Sequence, residues 1–500
     1  MKIAVRTDAS AQIGTGHVAR CQTLADALKA RGADVTFYCR HLTDGMETRL
    51  TEAGHGVKRF KGGGTPDDLP HAAWLDGDQE TDASEFVEHV SNASPDWLIV
   101  DHYALDARWE KRVRRRVGNL LVIDDLADRD HDCDLLLDQN LWPDTATRYD
   151  SRLPARTRRL LGPRYCLLRP EFSRTPRHER DGRVRRILVF FGGVDAHNQT
   201  GRVLALLPRA FPLGIAVDVV IGAAHPARDS IVAQCAESGH TLHIQADRMA
   251  ELIASADLSL GTGGTALWER CCGGLPTLAW PTAFNQRAQL ECAAAAGLLH
   301  APEGATHSDE IILRHLLALQ ESPHWLIGLS KAGLDLVDGR GTERVCREMG
   351  CTRIRIRPAA KADSAMLFEW RNSETVRRVS RDKQPIAFET HTTWLESTLA
   401  RNDRKLTIGE LDGAPVGVVR FDIKGDEAEV SIYLGPDETR AGLGGELLVA
   451  AEHWLMAQAE GTRRFRAEVL DDNSKSRQMF LANGYRFERT ILTKGVITDD

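Results

Sequence analysis

Lys2-Ile3-Ala4-Val5-Arg6-Thr7-Asp8-Ala9-Ser10-Ala11-Gln12-Ile13-Gly14-Thr15-Gly16-His17-Val18-Ala19-Arg20-Cys21 decides the fold. Its first six residues form a short, largely apolar run, the pattern of a strand buried on both faces of a parallel sheet. Beyond the glycines, Cys21, Leu24, Ala25 and Leu28 recur at helical spacing. A strand that turns through Gly14 and Gly16 into a helix opens a doubly wound α/β unit. Similar runs at 35–39, 97–101 and 120–124, separated by longer amphipathic stretches, continue the unit to about residue 165.

The first glycine loop favours an anion, because backbone approaches a ligand closely there and the helix N–H groups point outward. Gly14, Gly16 and Ala19 satisfy the dinucleotide pattern, but that site also wants an acidic residue about 20 positions on. The second strand ends instead in Cys39-Arg40-His41, which disfavours NAD and leaves NADP open through Arg40. His17 falls in the first turn of the helix. The helix N-terminus disfavours imidazolium there and so favours a neutral base; a histidine that merely caps the loop is the competing reading. Asp8 can orient the ring, and Asp101, His102 and Tyr103 can line a pocket or serve as strand-end hydrogen bonders.

A charged, proline-containing stretch from Arg169 to Arg186 reads as a linker. The strand pattern then restarts at 187–191, 217–221, 257–260 and 277–280. Two successive doubly wound units leave a cleft at the carboxyl ends of their sheets. Residues 257–260, then Gly261-Thr262-Gly263-Gly264-Thr265, then a helix through Trp268-Glu269-Arg270, form a second strand–loop–helix cradle suited to a diphosphate. Glu269, one turn into that helix, suits two ribose hydroxyls or faces solvent. Asn285 and Gln286 offer amides to sugar substituents, and Gly192-Gly193 offer a second phosphate contact. Asp195 and Asn198 also read as turn formers.

From about Cys351 the runs 405–411, 416–423 and 429–434 are separated by tight turns such as Asp412-Gly413 and Gly425-Asp426, so this sheet is at least partly antiparallel. A strand leading through Thr439-Arg440-Ala441-Gly442-Leu443-Gly444-Gly445 into a helix over 442–458 is a third pyrophosphate cradle. Glu429 is a candidate base for an amine, and Tyr433 or Tyr485 a candidate acid. Trp370 and Trp394 read as pocket or core residues.

The 500 residues suit three domains of roughly 150 each, taken as 1–168, 183–348 and 352–500. Apolar residues at 42% and charged residues at 27% exclude global disorder. A net charge of −7, from 64 basic and 71 acidic residues, argues against nucleic acid as a partner. The absence of a long apolar run or a signal core predicts no membrane attachment. Ten cysteines without a C-x-x-C pair predict reduced thiols and a cytoplasmic location, and no metal-ligand spacing appears. Oligomeric state is not readable.

The run from Arg6 to Ser10 and on through Ile13-Gly14-Thr15-Gly16-His17-Val18-Ala19-Arg20-Cys21 resembles the opening motif of the nucleotide-sugar hydrolases of pseudaminic acid biosynthesis. Trp97-Leu98-Ile99-Val100-Asp101-His102-Tyr103, Ile123-Asp124-Asp125-Leu126-Ala127, Asp138-Gln139-Asn140, Phe191-Gly192-Gly193 and Gly263-Gly264-Thr265-Ala266-Leu267-Trp268-Glu269-Arg270-Cys271-Cys272 extend the likeness to about residue 348. The resemblance implies a GT-B-type pair of Rossmann-like domains in an α/β chain. It also implies His17 as leading catalytic residue, inversion at the sugar, and UDP and a free sugar as products. The third cradle resembles the acetyl-CoA loop of GNAT N-acetyltransferases, with Thr439 where Gln or Arg is usual and Arg440 adjacent. Asp472-Asn473-Ser474 through Phe480, and Asn483-Gly484-Tyr485, match that family's later motif, although Phe480 stands where many members carry a tyrosine acid. Leu367-Phe368-Glu369-Trp370-Arg371-Asn372 with His391-Thr392-Thr393-Trp394 is similar to the pathway's 4-amino-sugar acetyltransferase.

The resemblance thus implies an α+β GNAT domain binding acetyl-CoA through Arg440, Gly442, Leu443, Gly444, Gly445 and Asn473. The expected protein is bifunctional: it acetylates a UDP-linked 4-amino-6-deoxyhexose and hydrolyses the UDP-2,4-diacetamido-2,4,6-trideoxy-β-L-altropyranose product. A glycosyltransferase, a non-catalytic UDP-sugar sensor and an NADP oxidoreductase are the alternatives.

Overall fold

The computed structural model describes all residues except 11, 92, 213, 284–285, 381, 439–441, 459–461, 463, 471 and 489–500. The chain divides into two compact units, Met1–Cys346 and Arg347–Asp500.

The first unit holds two sheets. One comprises β1 (Lys2–Thr7), β2 (Asp34–Cys39), β3 (Gly56–Arg59), β4 (Trp97–Asp101), β5 (Asn119–Ile123), β6 (Leu135–Asp138) and β7 (Arg158–Leu161), in the order β3-β2-β1-β4-β5-β6-β7. Every pairing is parallel. Ile3, Val5, Leu98, Ile99, Leu121 and Leu137 are almost wholly buried, because helices cover both faces of the central strands. The helix Gly16–Lys29 closes one face with Cys21, Leu24, Ala25 and Leu28. It ends at Lys29, and in the turn that follows Gly32 has a φ of +85° that any side chain would strain.

The second sheet comprises β8 (Arg186–Phe190), β9 (Ala216–Ile221), β10 (Thr241–Ile244), β11 (Leu258–Gly261) and β12 (Thr277–Ala279), in the order β10-β9-β8-β11-β12, again wholly parallel. The strand order reverses between β1 and β4 in one sheet and between β8 and β11 in the other. Ligands of open α/β sheets bind at the carboxyl ends of strands at such a switch point. Both glycine loops lie there.

The stretch 169–186 is not a free linker. Phe172 is buried in the core of the second sheet. The buried Arg180 side chain donates to the carbonyls of Ile253 and Ala256, while its backbone N–H donates to Ser330 Oγ. These charges read as linker because a guanidinium that ends on backbone carbonyls leaves no pattern in sequence.

The second unit has one sheet, β13 (Arg355–Pro358), β14 (Arg404–Leu411), β15 (Ala414–Lys424), β16 (Glu427–Leu434) and β17 (Arg464–Ala467), in chain order. It is antiparallel except for the parallel pair β16–β17. The helix Leu443–Gln458 lays Leu443, Leu447, Leu448, Ala451 and Leu455 on this sheet. Two parallel-sheet, GT-B-like Rossmann domains therefore precede a mixed α+β domain. Nine of the ten cysteines are buried and Cys292 is half-buried. Among the described residues no helix is long and apolar enough to cross a membrane.

Candidate functional site

At the first switch point, β1 runs into a loop closed by a bridge between Ser10 and Gly14, which has φ +80°. Gly16 opens the helix, and its first turn presents His17, 8% exposed. Thr7 lies opposite Asp101, the last residue of β4, and this pairing brings Asp101 under the helix. His17 Nδ1 lies 2.6 Å from Asp101 Oδ1, and Arg20, one turn along, grips both Asp101 oxygens at 2.6 and 2.7 Å. Burial pushes the Asp101 carboxyl up, but the charges of Arg20 and His17 outweigh it and hold it well below the usual carboxylate range. An ionised carboxylate only accepts, so His17 donates to Asp101 from Nδ1. Nε2 has no hydrogen-bond partner among the described residues.

The carboxylate on the imidazole is thus Asp101, not Asp8. Asp8 is wholly buried between Arg6 (2.9 Å) and His102 (3.1 Å), and accepts the N–H groups of Arg40 and His41. His102 Nδ1 accepts from the Ala104 N–H, and burial lowers its pKa despite Asp8, so the ring braces the loop from below. Sequence could not separate Asp8 from Asp101, because both end central strands and only the pairing register ranks them. Arg40 donates to the carbonyls of Leu75 and Asp76 and pairs with Asp82, so it is not available to a 2′-phosphate. The NADP reading loses its support.

Tyr103 stands edge-on to His17, with ring centroids 4.6 Å apart, and donates to Asp125 Oδ1. Trp74 stacks on Tyr103 at 5.5 Å, and His71 packs against both rings. Trp74 and His71 lie on a short turn before the helix Gln79–His89, a stretch whose sequence carries no periodic signal.

At the second switch point, Gly192 (φ +91°) and Gly193 follow β8, with open space where a side chain would stand. Gly263 and Gly264 (φ +81°) follow β11 and lead into the helix Thr265–Cys272. The Gly263 N–H makes no hydrogen bond among the described residues, and the Gly264 N–H donates to Gln289 Oε1 at 2.7 Å. Glu269 is largely buried with Arg169 3.6 Å away, and burial raises its carboxyl pKa. It does not face open solvent. Gln286 Oε1 accepts from Thr262 Oγ1 and the Thr282 N–H, so its carboxamide closes the loop after β12. Asn285 lies outside the described residues. Asp195 and Asn198 cap the helix Gln199–Ala210.

Asn140, just past β6, joins the two sheets. Its Oδ1 accepts from Trp268 Nε1 (3.1 Å) and Gln289 Nε2 (2.8 Å), and its Nδ2 donates to Asp125 Oδ2. Arg20 Nη1 donates to the same Asp125 oxygen. One hydrogen-bonded chain therefore runs from the Gly264 amide through Gln289, Asn140, Asp125, Arg20 and Asp101 to His17.

In the second unit, Gly442 has φ +86° and open space at its Cα, ahead of a 16-residue helix, which suits close backbone approach by a pyrophosphate. Gly444 and Gly445 face inward instead: a methyl group there would fall 3.0 Å from Met479 Sδ and 2.8 Å from Arg347 Nη1. Leu443 is a core side chain. Asn473 Oδ1 caps the helix Ser474–Ala482 by accepting from the Ser476 N–H. Arg440 lies outside the described residues. Tyr485 donates to Glu452 at 2.6 Å. Tyr433 packs with Trp370 and Trp394 against a core of Leu367, Leu395 and Ile408, and burial raises its pKa. Glu429 is half-buried on β16, opposite Asp422 and Arg466. Among the described residues no cluster of three metal-binding side chains occurs.

Residues 353–486 match the acetyltransferase (GNAT) domain family. The second unit is a GNAT domain. An uncharacterised protein of Methanocaldococcus jannaschii is 22% identical over 506 residues, covering 97% of both chains. The UDP-2,4-diacetamido-2,4,6-trideoxy-β-L-altropyranose hydrolase of Campylobacter jejuni is 26% identical over 216 residues, 43% of this chain and 69% of that one. The crystal structure of MurG from Acinetobacter baumannii covers 70% of this chain and 98% of its own, at 13% identity and a TM-score of 0.47.

Proposed function

We propose that the first unit cleaves the C1–O bond of a UDP-sugar with UDP as leaving group, and that the GNAT domain acetylates an amine with acetyl-CoA. The observation that carries the first half is the Asp101–His17 pair. It fixes the His17 ring through Nδ1 at one switch point, with Nε2 without a partner among the described residues, and is tied by hydrogen bonds to the glycine loop of the other. UDP is a good leaving group, so the site needs only to position an acceptor O–H at C1 and remove its proton. His17 Nε2 takes that proton, and Asp101 stabilises the imidazolium formed. Trp74 and Tyr103 offer an aromatic wall to the C–H face of a sugar. Gly14 and Gly16 give the sugar close backbone approach; Gly192, Gly193, Gly263, Gly264 and Thr265 receive the diphosphate, and Glu269 the ribose. Domain limits of 1–168, 183–348 and 352–500 belong to this proposal.

Two acceptors are compatible with this geometry. The GT-B-like pair favours a hydroxyl, hence a glycosyltransferase. The name of the Campylobacter relative favours water, hence release of a free 2,4-diacetamido-2,4,6-trideoxy sugar. In the second reading the GNAT domain prepares the substrate. The substrate's 4-amino nitrogen attacks the acetyl carbonyl, its proton passes to Glu429 or water, and the thiolate leaves and is protonated.

The full chain incubated with a 4-amino UDP-sugar, with and without acetyl-CoA, separates these readings by thiol, UDP and sugar mass. UDP release without an added alcohol supports hydrolysis; release only with one supports glycosyl transfer. Tight binding without turnover leaves a sensor.

A further inference from the structure

Arg270 lies on the helix that follows the second glycine loop, 2% exposed, with its side chain turned back under the loop. Nη2 donates to the Thr262 carbonyl, while Nε and Nη1 have no hydrogen-bond partner among the described residues. No carboxylate lies within ion-pair distance of it among the described residues, and the neighbouring Glu269 leans on Arg169 instead. A buried, unpaired guanidinium is a costly arrangement, and burial lowers the Arg270 pKa to about 10. Gly261 packs close beside it: a methyl group there would fall 2.5 Å from the Phe190 carbonyl and 2.8 Å from Nη1.

The bond to Thr262 has a second effect. In a planar trans peptide the C=O and the following N–H point in opposite directions. With the Thr262 carbonyl held inward by Arg270, the Gly263 N–H points away from the guanidinium, and it is one of the loop amides without a partner. A cation beneath the loop and a free amide above it act on the same guest.

Resting on the UDP-sugar reading, we propose that Arg270 is a positioning residue that makes the Gly263–Gly264 loop select a diphosphate. It orients the Thr262–Gly263 peptide and supplies the buried charge that the ligand's anion neutralises. The Gly264 amide, which donates to Gln289 Oε1, is a second donor the diphosphate can take.

Calorimetric titration of the full chain with inorganic pyrophosphate, UDP and uridine tests this, using Arg270→Gln and Arg270→Lys. Gln can still donate to the Thr262 carbonyl but removes the charge. Pyrophosphate and UDP affinity should fall about 10–100-fold in Arg270→Gln, with uridine affinity unchanged. Lys should restore most of the loss, which a purely structural role would not produce. Equal pyrophosphate binding by wild type and Arg270→Gln, or none by wild type, overturns the proposal. Arg270-dependent pyrophosphate binding with no gain from the uridine moiety leaves it standing and removes the nucleotide reading. Should the Gln variant not fold, hydrogen exchange in the wild-type chain decides: pyrophosphate must slow exchange of the 262–266 amides, and unchanged exchange overturns it.

Discussion

Asp101 and Asp8 end neighbouring strands, yet their surroundings assign them opposite tasks. Asp101 touches His17, so Asp101→Asn removes the charge that fixes the Nδ1–H tautomer, and kcat should fall about 10²–10⁴-fold. UDP affinity, measured by calorimetry, should stay unchanged. His17→Ala should behave likewise, with UDP bound and none released from the sugar nucleotide. Undiminished turnover in His17→Ala would exclude this base. Asp8 neutralises the fully buried Arg6, which also pairs with Asp82. Asp8→Asn should therefore lower stability by about 3–5 kcal/mol in urea unfolding, because it leaves a buried charge short of its partner.

At the level of elements, the link Asp125–Asn140–Gln289 ties the loop after β6 to the helix Gln286–Ala295. Asn140→Ala strands the Trp268 indole N–H and the Gln289 amide. It should cost about 1–3 kcal/mol in thermal unfolding and raise KM more than it lowers kcat. The central strands β1, β4, β8 and β11 and both glycine loops were legible, because burial on two faces leaves uninterrupted apolar runs. The edge strands β3, β7 and β10 were not. Gly56-Val57-Lys58-Arg59 and Arg158-Arg159-Leu160-Leu161 carry charge where one side meets solvent, and they are too short for a periodic signal. β6 is buried but only four residues long, after an acidic run. His17 was visible from its place in a helix's first turn. Its partner, its aromatic neighbours Trp74 and His71, and the Asn140 link depend on register between distant segments, which no local pattern records.

Across the whole molecule, the two units have separate hydrophobic cores. Calorimetry should show two transitions, with coenzyme A raising one and UDP the other; a single transition shifted by both would refute independent folding. Stability should also carry a pH signature from Asp138, which burial and the charge of Asp125 push from 3.8 to about 8. The folded chain holds that proton across a window in which the unfolded chain has lost it. Stability from this group is therefore full below about pH 4 and declines until the pH passes about 8. Asp138→Asn should gain on wild type by at most about 1.4 kcal/mol per pH unit through that window, then level off. Denaturant titrations at several pH values measure this difference. Nine of the thiols are sealed inside the protein, whereas Cys292 is half-buried on the same helix as Gln286 and Gln289. A maleimide dye added to the unmodified polypeptide should attach there first, and its brightness would then report, in real time, when the neighbouring cradle fills.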